Sequence, residues 1–218
     1  MRIVVVASGE LDAGDMSWLD GADLVIGADG GAASLDRLGG RVDLLVGDLD
    51  SIDGSLVERL SATGTRVERH PADKDASDTE LAVEAALAAG AGEVVLLGAM
   101  GGDRLDHELA SLFLLADPLL AAVEVRAVRG PTRVRALHPG RSLALDGRRD
   151  DLVSLLPIGG DAVGVTTEGL QWPLVAATLR MGRSRGLSNV VVAEPASVQI
   201  ESGTLLVVET ASERIEPA

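Results

Sequence analysis

From Met1 to about Gly130 the chain alternates two hydrophobic rhythms. Short aliphatic runs at Ile3–Ala7, Leu24–Ala28, Leu44–Gly47, Arg66–His70, Glu93–Gly98 and Val123–Val128 read as strands buried on both faces. Between them, Ala32–Leu38, Leu56–Ser61, Thr79–Ala89 and Asp106–Leu115 carry apolar residues at helical spacing. This alternation predicts an α/β fold with a Rossmann-like, open and mainly parallel sheet. After Gly130 the rhythm changes. Pro131, Pro139, Gly140 and Gly147 punctuate shorter β-rich runs, and no long helix follows. Val134–Leu137, Ser142–Leu145, Leu152–Leu156, Val163–Thr167, Val190–Val192, Val198–Ile200 and Leu205–Glu209 predict a C-terminal β-sandwich. The expected domains are 1–133 and 134–218, with the linker signal spread over Arg129–Gly140.

Composition narrows the picture. In a chain of 218 residues, 46% hydrophobic content suffices for a sizeable core, yet only two Trp and one Phe are present, with no Tyr. The core must therefore be aliphatic, and an aromatic outside it stands out; Trp18 and Phe113 sit where packing accounts for them. A net charge of −15 without a basic cluster repels phosphate backbones, so nucleic acid is not an expected partner. A cationic ligand, or an anion escorted by a metal, fits better. The absence of cysteine excludes disulfides, thiolate chemistry and cysteine zinc sites. No apolar run is long enough to span a bilayer and the segment Met1–Ala7 is too short for a leader, so a cytoplasmic protein without membrane partners is expected.

In open α/β sheets, ligands bind where the strand carboxyl ends deliver their loops. Four such loops carry aspartate: Asp29-Gly30-Gly31, Asp48-Leu49-Asp50-Ser51, Asp73-Lys74-Asp75-Ala76-Ser77-Asp78 and Gly101-Gly102-Asp103-Arg104-Leu105-Asp106-His107. Part of this is local structure. Ser77 with Glu80 and Ser55 with Glu58 fit capping boxes, and Asp78 suits the positive end of a helix dipole. Capping leaves Asp73, Lys74 and Asp75 unexplained. Carboxylates converging on one edge would repel one another unless a cation sat among them, and an all-oxygen donor set favours Mg²⁺ shared with substrate phosphates. Gly30-Gly31 and Gly101-Gly102 would let backbone N–H groups approach phosphate oxygens, with Lys74 and Arg104 balancing their charge. His107, in the first turn of a helix, suits either a hydrogen-bonded structural role or a ligand.

These strings in this order resemble thiamine pyrophosphokinases: ADGG at Ala28–Gly31, GDLDS at Gly47–Ser51, DKDASD at Asp73–Asp78, GGDRLDH at Gly101–His107, then GLQW at Gly169–Trp172 and GLSN at Gly186–Asn189. The chain departs from the family's usual pattern at Ser77, which keeps a threonine's hydroxyl, at Ser111 in place of an asparagine, and at the additional Asp103. The resemblance implies transfer of pyrophosphate from ATP to the hydroxyethyl group of thiamine, giving thiamine diphosphate and AMP, by a Mg²⁺-dependent homodimer with thiamine held between subunits. It implies Asp48, Asp50 and Asp78 as metal-linked catalytic carboxylates. Around the nucleotide it implies Asp29, Gly30, Gly31, Ser51, Lys74, Ser77, Gly101, Gly102, Arg104, Asp106 and His107. Trp172, in an aromatic-poor chain, suits either a stacking plate for thiamine or a sandwich-core position. Ser188 and Asn189 would hydrogen-bond the same ligand or cap a turn. Either Asp78 or Asp50 could accept the hydroxyl proton. Rival readings are a pterin pyrophosphokinase, a metal-dependent phosphatase built on the Asp48/Asp50 pair, and a nucleotide or thiamine sensor without turnover.

Overall fold

Why β1 (Arg2–Val6) lies at the centre of its sheet follows from its composition: Ile3 to Val6 are all fully buried, and no polar side chain interrupts them. The computed structural model describes residues 1–212, so positions 213–218 of the expected second domain lie outside the described residues. The chain divides into two compact units, one comprising Met1–Leu114 with Ala122–Gly130, the other Leu115–Ala121 with the residues from Pro131 onward.

In the first unit β1 is followed by β2 (Leu24–Ala28), α1 (Gly30–Arg37), β3 (Leu44–Gly47), α2 (Gly54–Ala62), β4 (Arg66–Arg69), α3 (Asp78–Ala88), β5 (Glu93–Leu97), α4 (Leu105–Leu114) and β6 (Glu124–Arg129). The strands lie in the order β4-β3-β2-β1-β5-β6, and every pairing is parallel. Helices α1 and α3 cover β1 and β2, and α3 reaches β3, which is why these strands read as unbroken aliphatic runs. Each such side chain taken fully out of water contributes about 1.5–3 kcal/mol. Edge strand β4 differs: Arg66, Glu68 and Arg69 are exposed, and their charges discourage pairing with another edge. Helix α3 begins where Ser77 accepts a hydrogen bond from the Glu80 backbone N–H at 3.1 Å, as the capping pattern predicts. Helix α2 is capped by Asp53, which accepts from the Ser55 N–H at 2.8 Å, and not by the expected Ser55–Glu58 box. Phe113, expected in the packing, is 54% exposed on α4.

The loops after β1 and β5 leave the sheet in opposite directions, toward β2 and β6, and a fork of this kind opens a crevice at the strand carboxyl ends. Backbone meets backbone there. The Gly9 N–H donates to the Gly98 carbonyl at 2.8 Å, and a Cβ on Gly9 would stand 2.3 Å from that oxygen.

The second unit contains β7 (Thr132–Leu137), β8 (Ser142–Ala144), β9 (Leu152–Glu168), β10 (Ala177–Leu179), β11 (Asn189–Val190), β12 (Ser197–Gln199) and β13 (Ser202–Thr210). All its pairings are antiparallel. The two strands expected at Leu152–Leu156 and Val163–Thr167 are one strand, β9. Its first half pairs with β13 and its last turns of pleat with β12 and β10, after the chain passes through a positive φ of 73° at Gly159. Val153, Leu155, Ala162, Val165, Leu179, Val198 and Leu205 form the aliphatic core beneath it. Among the described residues no helix is long and apolar enough to cross a membrane.

Candidate active site

The crevice at the β1/β5 fork is a cavity of about 520 Å³. All four acidic loops put carboxylates into its wall, Asp103 from the loop after β5 among them. Asp29 follows β2, Asp48 and Asp50 follow β3, and Asp78 opens α3. One oxygen each from Asp29, Asp48 and Asp78 lie within 4.8 Å of one another. The sequence expectation grouped Asp50 with Asp48 and Asp78. Asp50 lines the cavity, but its place in the group is taken by Asp29. Asp50 is exposed, accepts a hydrogen bond from the Ser51 hydroxyl at 3.1 Å, and donates its backbone N–H to Asp48 Oδ1 at 3.2 Å.

The backbone is bent to make this possible. Asp29 has φ 43° and Leu49, between Asp48 and Asp50, has φ 66°, conformations that cost a residue with a side chain and are found where function over-determines them. Gly47 ends β3 at φ 149°, and a Cβ there would lie 3.0 Å from Asp78 Oδ1 and 3.2 Å from Asp29 Cβ. The missing side chain is the space into which the two carboxylates converge.

Electrostatics sort the carboxylates. Asp29 is 5% exposed, its Oδ1 has no hydrogen-bond partner, and burial raises its pKa above the ordinary value against the pull of Ser51 and Gly30. Asp48 moves the other way, held down by the Asp50 N–H and by Lys74. The Lys74 Nζ stands 3.1 Å from Asp48 Oδ2 and 2.8 Å from Asp78 Oδ1, with 13% of its side chain exposed. Burial alone would lower the lysine's pKa; Asp78 and Asp48 outweigh it and raise it.

The remaining predicted residues fall into two groups. Ser51, Ser77, Gly101, Gly102, Arg104 and His107 line the cavity, as does Ser111, one of the departures from the family pattern. Gly30, Gly31 and Asp106 do not. Gly31 is needed for packing, since its Cβ would fall 2.0 Å from the Val6 carbonyl oxygen. Asp106 forms a two-bond pair with Arg104 at 2.9 and 2.6 Å, which lowers the carboxyl's pKa and raises the guanidinium's, although both side chains are largely exposed. The cavity also includes Ser8 and Gly9, which the sequence reading did not single out. Their signal was a small Ser-Gly pair just after the buried aliphatic run of β1.

In the second unit Trp172 is 56% exposed and therefore no core residue. Asn189 holds it in place, accepting from the Trp172 N–H at 3.0 Å and the Val190 N–H at 2.9 Å while donating to the Trp172 carbonyl at 2.8 Å. Ser188, at φ 56°, donates its N–H to Ser154 Oγ at 3.0 Å, and Gly186 lies against the Leu155 carbonyl, with no room for a Cβ. The structure thus brings Trp172, Ser188 and Asn189 together, with Asn189 engaged by backbone.

Family comparison follows the same division. Residues 16–127 match the thiamin pyrophosphokinase catalytic domain, and residues 143–205 match the thiamin pyrophosphokinase vitamin B1 binding domain. The chain is 24% identical over 193 residues to a thiamine pyrophosphokinase of Bacillus subtilis (strain 168), covering 88% of this chain and 90% of that one. It is 30% identical over 182 residues to thiamine pyrophosphokinase 3 of Oryza sativa subsp. japonica, covering 76% of this chain and 64% of the longer plant protein. Among solved structures, the Bacillus subtilis thiamine pyrophosphokinase superposes with a TM-score of 0.84 at 23% identity, covering 98% of this chain and all of that one. The Geobacillus thermodenitrificans thiamin pyrophosphokinase gives 0.81 at 26%, covering 99% and 100%.

Proposed function

The chain belongs to the thiamin pyrophosphokinase family of enzymes, and we propose that it transfers pyrophosphate from ATP to the hydroxyethyl oxygen of thiamine, releasing AMP and thiamine diphosphate. In this reading residues 1–133 are a Rossmann-like nucleotide-binding domain and residues 134–218 a β-sandwich that binds thiamine. The observation that carries it is the convergence of Asp29, Asp48 and Asp78, with a buried and unpartnered Asp29 oxygen, on the wall of a nucleotide-sized cavity.

Mg²⁺ fits this donor set. All donors are oxygens, two ligands of one Mg²⁺ stand about 3–4 Å apart, and the orphaned Asp29 Oδ1 lacks the partner a buried acceptor requires. Asp29, Asp48 and Asp78 would hold the ion, which when bound neutralises phosphate oxygens as charge shifts during transfer. The protein's own groups do the rest. Gly101, Gly102 and Ser77 shape the wall along the phosphates, Lys74 and Arg104 offset their charge, and His107 lies at the same wall. Asp78 is committed to the carboxylate group, which leaves the exposed Asp50 to accept the hydroxyl proton as its oxygen attacks the β-phosphorus in line. Trp172 stacks on thiamine, with Ser188 at its flank.

The same reading makes the enzyme a cytoplasmic homodimer with thiamine between subunits, a symmetry that would build two equivalent sites. Incubation with ATP, Mg²⁺ and thiamine should yield AMP and thiamine diphosphate in equal amounts. Free phosphate without AMP would mark a phosphatase, and binding without product a sensor. At thiamine concentrations well below the raised KM of Trp172→Ala, mixing these chains with inactive Asp50→Asn chains should give more activity than the two variants show separately; no gain after verified subunit exchange would overturn the shared site.

A further inference from the structure

Lys74 raises a conflict between position and expected duty. Lys74 lines the cavity, where a phosphate contact belongs, yet its ammonium bridges Asp48 and Asp78, two of the three carboxylates that would hold the metal. The ammonium takes up one oxygen of each of these two carboxylates, and its charge repels a divalent cation brought to the same group. Asp29, the third member, is left with an unpartnered buried oxygen, so the lysine satisfies only part of the group. One cation of single charge therefore stands among three carboxylates, held on a four-carbon stem in the loop before α3, four residues ahead of Asp78.

We propose that Lys74 is an exchangeable counter-ion, which occupies the Asp48–Asp78 pair in the free enzyme and is displaced from it when the divalent ion and the polyphosphate enter. The proposal rests on the metal reading above. Its physical basis is competition. Without nucleotide, metal uptake must break two short ion pairs and leave the ammonium without a partner in a largely enclosed place. When polyphosphate enters as well, its oxygens receive the displaced ammonium. The arrangement thus links the two ligands: each lowers the cost of admitting the other, and by reciprocity the factor is the same in both directions. A free enzyme built this way resists idle metal binding and stays assembled without metal, because its carboxylates are never left facing one another unscreened.

The test is Mn²⁺ binding, followed by electron paramagnetic resonance, for wild type, Lys74→Met and Lys74→Arg, with and without the non-transferable nucleotide α,β-methylene-ATP. Lys74→Met should bind Mn²⁺ more tightly than wild type in the absence of nucleotide, on the order of tenfold, within the usual range of coupling between two ligands. That gain should shrink or reverse with the nucleotide present, while Lys74→Arg stays near wild type in its absence. A lysine that merely braces the loop would give the opposite sign, since its loss would loosen the site, so equal or weaker Mn²⁺ binding by Lys74→Met overturns the proposal. Thermal melting provides the second measurement. In EDTA Lys74→Met should melt below wild type, and Mn²⁺ should raise its melting temperature more than it raises the wild type's; an equal rise overturns the proposal. If neither wild type nor Lys74→Met binds Mn²⁺ under any condition, the metal reading itself falls, a result distinct from binding that is indifferent to Lys74.

Discussion

Asp29 in the first unit and Asn189 in the second are buried to nearly the same degree, 5% and 8% exposed, and each sits at a backbone kink, Asp29 itself at φ 43° and Ser188 before Asn189 at φ 56°. Their hydrogen bonding differs. Asn189 has both polar side-chain atoms engaged with the backbone of Trp172 and Val190, so an exposed indole is held on a fixed stretch of chain. Asp29 keeps an oxygen with no partner, a state that costs about 1–3 kcal/mol for a buried polar group. Here the satisfied amide fixes the frame that presents Trp172, whereas the unsatisfied carboxylate oxygen lies in the wall of the cavity.

Four substitutions test that contrast. The largest effect should come from Asp78→Asn, which removes one charge from the carboxylate group at constant volume. AMP formation should fall by about 10²–10³-fold in a protein whose circular dichroism is unchanged. Asp29→Asn should lower Mn²⁺ affinity by about 10–100-fold while stabilising the metal-free fold. The sign follows from linkage: burial raises the folded-state pKa of Asp29, so as pH rises the unfolded chain loses this proton first. Stability then falls between the unfolded and folded values and remains lower above them. In EDTA at neutral pH the variant should therefore melt above wild type, with the gap closing as pH drops below the ordinary carboxylate range.

Asn189→Ala should do the reverse, costing about 1–3 kcal/mol in denaturant unfolding by orphaning the Trp172 and Val190 backbone groups, and raising the thiamine KM because the indole is no longer held. The smallest effect belongs to Trp172→Ala. Losing an exposed stacking partner should raise the thiamine KM by about 2–30-fold, leave the ATP parameters unchanged, and barely shift the melting temperature.

Sequence alone revealed the first unit's strands well, because strands covered on both faces must be aliphatic throughout, as β1 is from Ile3 to Val6. It also located Asp48, Lys74 and Asp78, since a parallel sheet sends the loops after its strands to one edge. Which carboxylates meet was harder. Asp29 joins the group through a left-handed backbone angle and through the space left open at Gly47, and neither leaves a trace in hydrophobic spacing. Gly31 has a packing duty that its place in a Gly-Gly turn did not show, since helix α1 meets strand β1 there. Ser8 and Gly9 carry no charge and so attracted no notice. In the second unit Pro157, Gly159 and Gly160 have the composition of a break, yet β9 runs on past them, its pairing with β13 reaching Ile158 and resuming at Val163 after a shift of register.

The scarcity of aromatic residues has an optical consequence. With no tyrosine in the chain, ultraviolet-excited emission comes essentially from two indoles in contrasting surroundings. Trp18 is half-buried against the aliphatic core of the first unit with the Arg2 guanidinium 5.8 Å from its ring, and Trp172 is exposed to water in the second. The first should emit toward the blue and the second toward the red. A flat heterocycle settling on Trp172 would quench only the red component, so the unlabelled enzyme would report arrival of its acceptor by colour, with Trp18 as an internal standard.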